Sequence, residues 1–235
     1  MQRRGRDVVT AERRRAGFSL IEVVIAIAVL ATLIGMGALA LDSWFGAQRA
    51  KGAARKMADL MMLARTEAVR THQNHVVLFQ LDAAGNPLLD SSGREVAALL
   101  FRDADGDGAP QASEYVSALP FDQTWSLSWG AALALQPGAE VPAPNDNPGA
   151  TFPLPASSAC CTFTDTGGAP ARGVVFLPDG MPRAFSVGPF VTGAVGSGNG
   201  AVYLTDGRRD YAAVLAALGG VRLHAWDAGA GAWQQ

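Results

Sequence analysis

From Phe18 to Leu41 the chain runs 24 residues without Pro, Lys, Arg or Asp. At about 1.5 Å per residue such a run makes a helix about 36 Å long, enough to cross a hydrocarbon core about 30 Å thick. Its one charge is Glu22. A carboxylate in an apolar segment is costly without a positive partner, which makes Glu22 a candidate functional residue. Arg3, Arg4, Arg6, Arg13, Arg14 and Arg15 precede the run, against only Asp7 and Glu12. That excess of cations keeps the N-terminal side in the cytoplasm and sends the C-terminal side out.

A secretory signal peptide has an apolar core of about 7–15 residues followed by a small-residue cleavage site. Here the core is longer, and the small residue, Gly17, stands before it. The layout fits a leader that is trimmed while the helix stays. Gly17-Phe18-Ser19-Leu20-Ile21-Glu22 resembles the class III signal of type IV pilins and pseudopilins. The resemblance implies that a prepilin peptidase cuts after Gly17 and methylates the new amine on Phe18. It also implies that Glu22, fifth in the mature chain, pairs with the N-terminal amine of a neighbouring subunit during assembly. The alternative is a plain membrane anchor with Glu22 near the headgroups.

Residues 42–235 are enough for one compact domain. With 27 Gly, 13 Pro and many short apolar stretches, the composition favours strands and turns over a helical bundle. Charge is unevenly spread. Residues 48–70 carry Arg49, Lys51, Arg55, Lys56, Arg65 and Arg70 against Asp59 and Glu67, whereas from residue 71 onward 7 basic side chains face 15 acidic ones, a net of −8. So acidic a head is a poor generic binder of nucleic acid, whose affinity rests on phosphate neutralisation.

After Leu41 the helical pattern continues. Met57, Leu60, Met61, Ala64 and Ala68 recur at steps of three and four, giving one apolar face that should pack on a sheet. From His75 the period becomes extended: His75–Leu81 reads as a strand, Val96–Phe101 as another, and Thr124–Trp129 alternates with Trp125, Leu127 and Trp129 on one face. Residues 136–159, rich in Pro, Ala and Asn, read as a long surface loop. Further on, 173–177 leads through Pro178-Asp179-Gly180 into a strand over 183–187. Strands over 201–205, 211–215 and 221–226 follow, joined by Asp206-Gly207 and Gly219-Gly220. The expected organisation is a leader over 1–17, a transmembrane helix over 18–41, an amphipathic extension over 42–72 and a β-rich head over 73–235. The fold class is α+β, a long N-terminal helix packed on an antiparallel sheet.

Three stretches sharpen the resemblance: Leu60–Ala68, Val175-Phe176-Leu177-Pro178-Asp179-Gly180, and a terminal hairpin ending near Trp233. With the leader and helix, they are similar to the GspH/FimT family of minor pseudopilins and minor pilins. The resemblance implies a non-enzymatic minor pseudopilin of a type II secretion system, anchored in the bacterial inner membrane with its head in the periplasm. Its partners would be other pilins or pseudopilins and the prepilin peptidase. A type IV minor pilin of the FimT kind, serving pilus assembly or DNA uptake, is the alternative. FimT-like proteins can bind DNA through an arginine-bearing C-terminal loop. Here the matching segment, Gly219-Gly220-Val221-Arg222, has one arginine where two are expected. The nearby Arg208 and Arg209 are flanked by Asp206 and Asp210, so sequence argues against DNA as a partner.

One further constellation belongs to no family expectation. Asp103, Asp105, Asp107, Gly108 and Glu114 fit the D-x-D-x-D-G-x5-E calcium loop at every fixed position. Asp103, Asp105 and Asp107 would ligate first, then the Ala109 carbonyl, Gln111 or a water it holds, and Glu114 with both oxygens. No EF-hand helix precedes the loop, and acidic Asp-Gly turns also form for conformational reasons alone. Cys160 and Cys161 are adjacent and the chain's only cysteines. Outside the cytoplasm a bridge between the two, a bridge between chains, and two thiols without a role all fit. There is no G-x-S-x-G elbow, Walker A, H-E-x-x-H or zinc-spaced cysteine pair. His72, His75 and His224 are scattered and read as strand-end or surface residues.

Overall fold

In a computed structural model of the chain, Leu20–Thr71 form one α-helix, α1. The structure describes residues 19–82, 84–120, 127–132, 160–188 and 190–235, and the backbone alone of 37–43. The chain divides into two units, Met1–Trp44 and Phe45–Gln235. In the first, the side chains of residues 19–36 are exposed on every side of the helix, Leu20, Ile27, Leu33 and Ile34 among them. Thr32 satisfies its hydroxyl inside the helix, donating to the Val29 carbonyl at 2.7 Å, as a buried or lipid-facing threonine must. Among the described residues no helix is long and apolar enough to cross a membrane. Of the run expected to span over 18–41, side chains are described only for 19–36.

In the second unit α1 becomes one-sided. Ala50, Ala53, Ala54, Met57, Leu60, Met61, Ala64 and Ala68 are buried, while Arg55, Lys56, Asp59 and Arg70 are exposed. The spacing of three and four predicts that face, and the three alanines extend it upstream. The helix stops at His72, whose φ of 56° is the left-handed conformation that ends many helices.

The strands in chain order are β1 (Asn74–Phe79), β2 (Val96–Asp103), β3 (Tyr115–Pro120), β4 (Ser128–Trp129), β5 (Phe163–Thr164), β6 (Pro170–Ala171), β7 (Gly173–Phe176), β8 (Pro182–Arg183), β9 (Phe185–Ser186), β10 (Val191–Thr192), β11 (Gly200–Thr205), β12 (Asp210–Leu215), β13 (Val221–Asp227) and β14 (Ala232–Gln234). Two five-stranded antiparallel sheets carry the head, ordered β3-β2-β1-β7-β8 and β14-β13-β12-β11-β4, with β9–β10 and β5–β6 as small pairs. The α+β architecture expected from the sequence, a pilin-like helix packed on antiparallel sheet, is what the structure shows.

Strand alternation explains why these segments are apolar throughout. In β1, Val77 and Phe79 join the core under α1, whereas Val76 and Leu78 pack with Leu88, Leu99, Phe101, Val175 and Phe185 on the opposite face. In β11, Val202 and Leu204 face the α1 core, and Ala201 and Tyr203 pack with Val214 and Trp233. Successive side chains point to opposite faces, so a sheet covered on both sides needs unbroken apolar runs. Arg65 ties the helix to the turns: its Nη1 donates to the Gly219 carbonyl at 3.1 Å. Its Nε lies 3.5 Å from where a Cβ on Gly180 would stand. Leu60–Ala68, Val175–Gly180 and the terminal hairpin, distant in sequence, thus meet around one guanidinium.

Three expectations change. The strand expected over 183–187 breaks into β8 and β9, because the Ala184 carbonyl accepts from Gly193 N and Ala184 N donates to Ser197 Oγ. Of the strand expected over 124–129, Ser128–Trp129 forms β4, and Trp125 lies outside the described residues. His75 and His224, read as strand-end or surface residues, are 1% and 3% exposed; His75 is taken up because β1 is buried throughout after Asn74, whereas His224 is the one buried position of β13.

Burial pushes the His75 imidazole below its ordinary value of 6.5, with Arg102 and Arg70 adding to the fall and Glu67 and the Gln73 carbonyl opposing it. The unfolded chain therefore takes the proton first. Stability is fully present above about pH 6.5 and is lost as pH falls from there toward the lower folded value. Unfolding free energies measured from pH 7.5 down to 5 should decline below about 6.5, and His75→Gln should flatten that part of the profile. An unchanged slope in the variant would assign the decline to other groups.

Candidate functional site

Of the residues expected to serve processing and assembly, Glu22 falls at the start of α1. Gly17 and Phe18 lie outside the described residues. Ser19 begins the helix, its carbonyl accepting from Glu22 N at 3.0 Å and Val23 N at 3.2 Å. Glu22 thus stands in the first turn, where unpaired amides and the helix dipole favour a carboxylate. Its side chain is exposed and joins none of the ion pairs among the described residues, which link Arg70 to Glu67, Arg94 to Asp90 and Arg183 to Asp179.

The acidic loop connects β2 to β3, so a hairpin carries it and no helix leads into it. Carboxylate oxygens of Asp103, Asp105 and Asp107 all lie within 4.8 Å of one another. Asp103 Oδ1 accepts from Gly108 N at 3.0 Å, and Ala109 N donates to Asp107 Oδ1 at 2.7 Å. Gln111 Nε2 donates to both Asp105 Oδ2 and Asp107 Oδ2. Glu114 ends the short 3-10 turn Ala112–Glu114, and its Oε1 accepts from Ala104 N at 2.8 Å. The loop thereby brings Glu114 back beside Asp103. Gly108 has φ +70°, and a Cβ there would stand 2.2 Å from the Phe190 ring, so this glycine is required twice over. Phe190, which packs on the loop from the β9–β10 hairpin, was invisible to motif spacing because it is over 80 residues away in the chain.

Other acidic turns of the head look different. Asp90, half-buried, accepts through Oδ1 from Ser92 N, Ser92 Oγ and Arg94 N and pairs through Oδ2 with Arg94. Led by the Ser92 hydroxyl, these donors hold its carboxyl down at about 2.

Cys160 and Cys161 are joined by a disulfide between neighbours, their Cα atoms 3.7 Å apart. Both are buried; Cys160 Sγ lies 3.8 Å from the Phe79 carbonyl, and Cys161 forms an antiparallel bridge with Val202. Burial keeps both sulfurs away from a second chain. Arg208 and Arg209 sit exposed at the β11–β12 turn, their amides held by Asp206 Oδ1. Arg222 pairs across from Val214 at the other end of β12. At about 3.4 Å per residue the two positions are separated by roughly 17 Å along the hairpin, so the fold does not gather the three arginines.

Residues 13–38 match the prokaryotic N-terminal methylation motif, the segment that contains Gly17, Phe18 and Glu22. No curated protein and no solved structure matches the chain. The N-terminal segment is that of a type IV pilin-like protein, which the α+β head accompanies.

Proposed function

We propose that the chain is a minor pseudopilin of a type II protein secretion system, a structural subunit without enzymatic activity. The apolar first part of α1 is its inner-membrane anchor, and the head lies in the periplasm. The observation that carries this is the pairing of the methylation motif with apolar side chains exposed on every side of the helix over 19–36. In water such a surface is costly, since each large aliphatic side chain gains about 1.5–3 kcal/mol on burial. Lipid before assembly, and the helices of neighbouring subunits after it, remove that cost. Glu22 then meets the Phe18 amine of a neighbour, and bundling helices lengthen a filament that pushes exoprotein through the outer membrane. The acidity of the head favours this over a DNA-capturing minor pilin.

The test is processing. In cells with an active prepilin peptidase, mass spectrometry of the purified chain should find it beginning at N-methylated Phe18. An intact leader through Gly17 would sink the pilin reading.

A further inference from the structure

We propose that the β2–β3 loop, residues 103–114, is a calcium site, held by Asp103, Asp105, Asp107, the Ala109 carbonyl, Gln111 and Glu114. It stands independently of the assembly reading. The case begins with what the ordinary alternative leaves unexplained. An acidic turn formed for conformational reasons accounts for Asp105 and Asp107, which are exposed and receive backbone or amide donors. It does not account for Asp103 and Glu114, each 5% exposed. Asp103 Oδ2 and Glu114 Oε2 are enclosed and meet no hydrogen-bond donor. A buried carboxylate oxygen without a donor or counter-charge is strongly disfavoured. Glu114 Oε1 is fastened to the amide next to Asp103, which ties the two buried residues to one end of the same loop, although only the three aspartates have carboxylate oxygens within 4.8 Å of one another. Asp90 shows what a satisfied acidic turn in this head looks like: half-buried, yet with donors on both oxygens.

A cation resolves the arrangement. Asp103 offers Oδ2, Asp105 and Asp107 one oxygen each, and Glu114 its Oε2 together with the second lone pair of Oε1. The Ala109 carbonyl and the Gln111 amide oxygen, turned inward in place of the nitrogen, bring the set to the six or more oxygens that calcium takes. Four carboxylates favour a divalent ion over a monovalent one. Magnesium requires a tight octahedron and gives up its waters reluctantly, so it fits a set of this size poorly. The competing counter-charge is Arg102 or Arg70, which border a cleft together with Glu114; neither forms an ion pair with it among the described residues.

The experiment is a thermal melt of the full-length chain in detergent with calcium chloride, magnesium chloride or EDTA, alongside a calorimetric calcium titration. At a hundredfold excess of calcium over Kd, the midpoint should rise by roughly 5–10 °C above the EDTA value. Magnesium should give little of that rise. Glu114→Gln should abolish the calcium response while leaving the EDTA midpoint unchanged or higher, because a buried charge has been removed. Asp105→Asn, at an exposed position where folding is not at stake, should weaken calcium binding by about tenfold or more, as affinity follows ligand charge. Asp90→Asn should change neither. Identical melts in calcium and EDTA, an equal rise in magnesium, or a response that survives Glu114→Gln would each overturn the site.

Discussion

Glu22→Ala is expected to leave the chain in the membrane fraction and correctly processed, yet absent from the filament. The substitution removes the only charge between Phe18 and Leu41, so insertion becomes easier and the peptidase site around Gly17 is untouched. What is lost is the partner for a neighbour's Phe18 amine. Breaking a buried ion pair by deleting one member costs about 3–5 kcal/mol, because the other charge stays buried alone. In an assembly equilibrium that is a factor of roughly 10²–10⁴. Glu22→Gln, which keeps the size and a hydrogen-bonding oxygen, should recover little, since the amine needs a charge. The check is the fraction of each variant that co-sediments with sheared filaments, set against total membrane-bound protein. Incorporation at the wild-type level would mean that Glu22 serves only the first turn of its own helix, where it already stands.

Met61→Ala should destabilise the head by about 2–5 kcal/mol, the range for deleting a fully enclosed methionine side chain. Met61 is 0% exposed and belongs to the core formed by the helix with strands of both large sheets. Leu33→Ala, at a residue 61% exposed, should change head stability by no more than about 0.5 kcal/mol. In thermal unfolding of the full-length chain in detergent, the first should lower the midpoint by roughly 4–20 °C and the second hardly at all. The contrast tests whether α1 does two separate jobs. Equal effects at the two positions would mean that the helix does not divide its roles at the unit boundary near Trp44.

That division was readable from local chemistry. Residues 18–41 lack any polar side chain at helical spacing that could mark an outer face, and residues 57–68 show one apolar stripe between charges. Period alone separates a segment that is apolar all round from one that packs on a sheet. The strands β1, β7, β11, β12 and β13 were legible for a related reason: β-branched and apolar runs bounded by Asp-Gly or Gly-Gly turns leave few other conformations. The signal at Gly17–Glu22 was legible because a processing site is a short contiguous string.

Where the reading failed, the deciding partner was remote in sequence. No strand is expected from the sequence over Tyr115–Pro120, yet β2 supplies the hydrogen bonds that make it one. Ala184 interrupts an apparently continuous strand because Gly193 and Ser197 compete for its backbone groups. His75 is buried since β2 and β7 flank its strand, and nothing near it in sequence shows that. The acidic loop divides along the same line. Its spacing, from Asp103 to Glu114, is a property of twelve consecutive residues. That Asp103 and Glu114 are enclosed while Asp105 and Asp107 are not, and that Phe190 closes over Gly108, follows only from how the β9–β10 hairpin and the β2–β3 hairpin pack. Solvent access depends on every chain segment that comes near, and a linear pattern records only the segment itself.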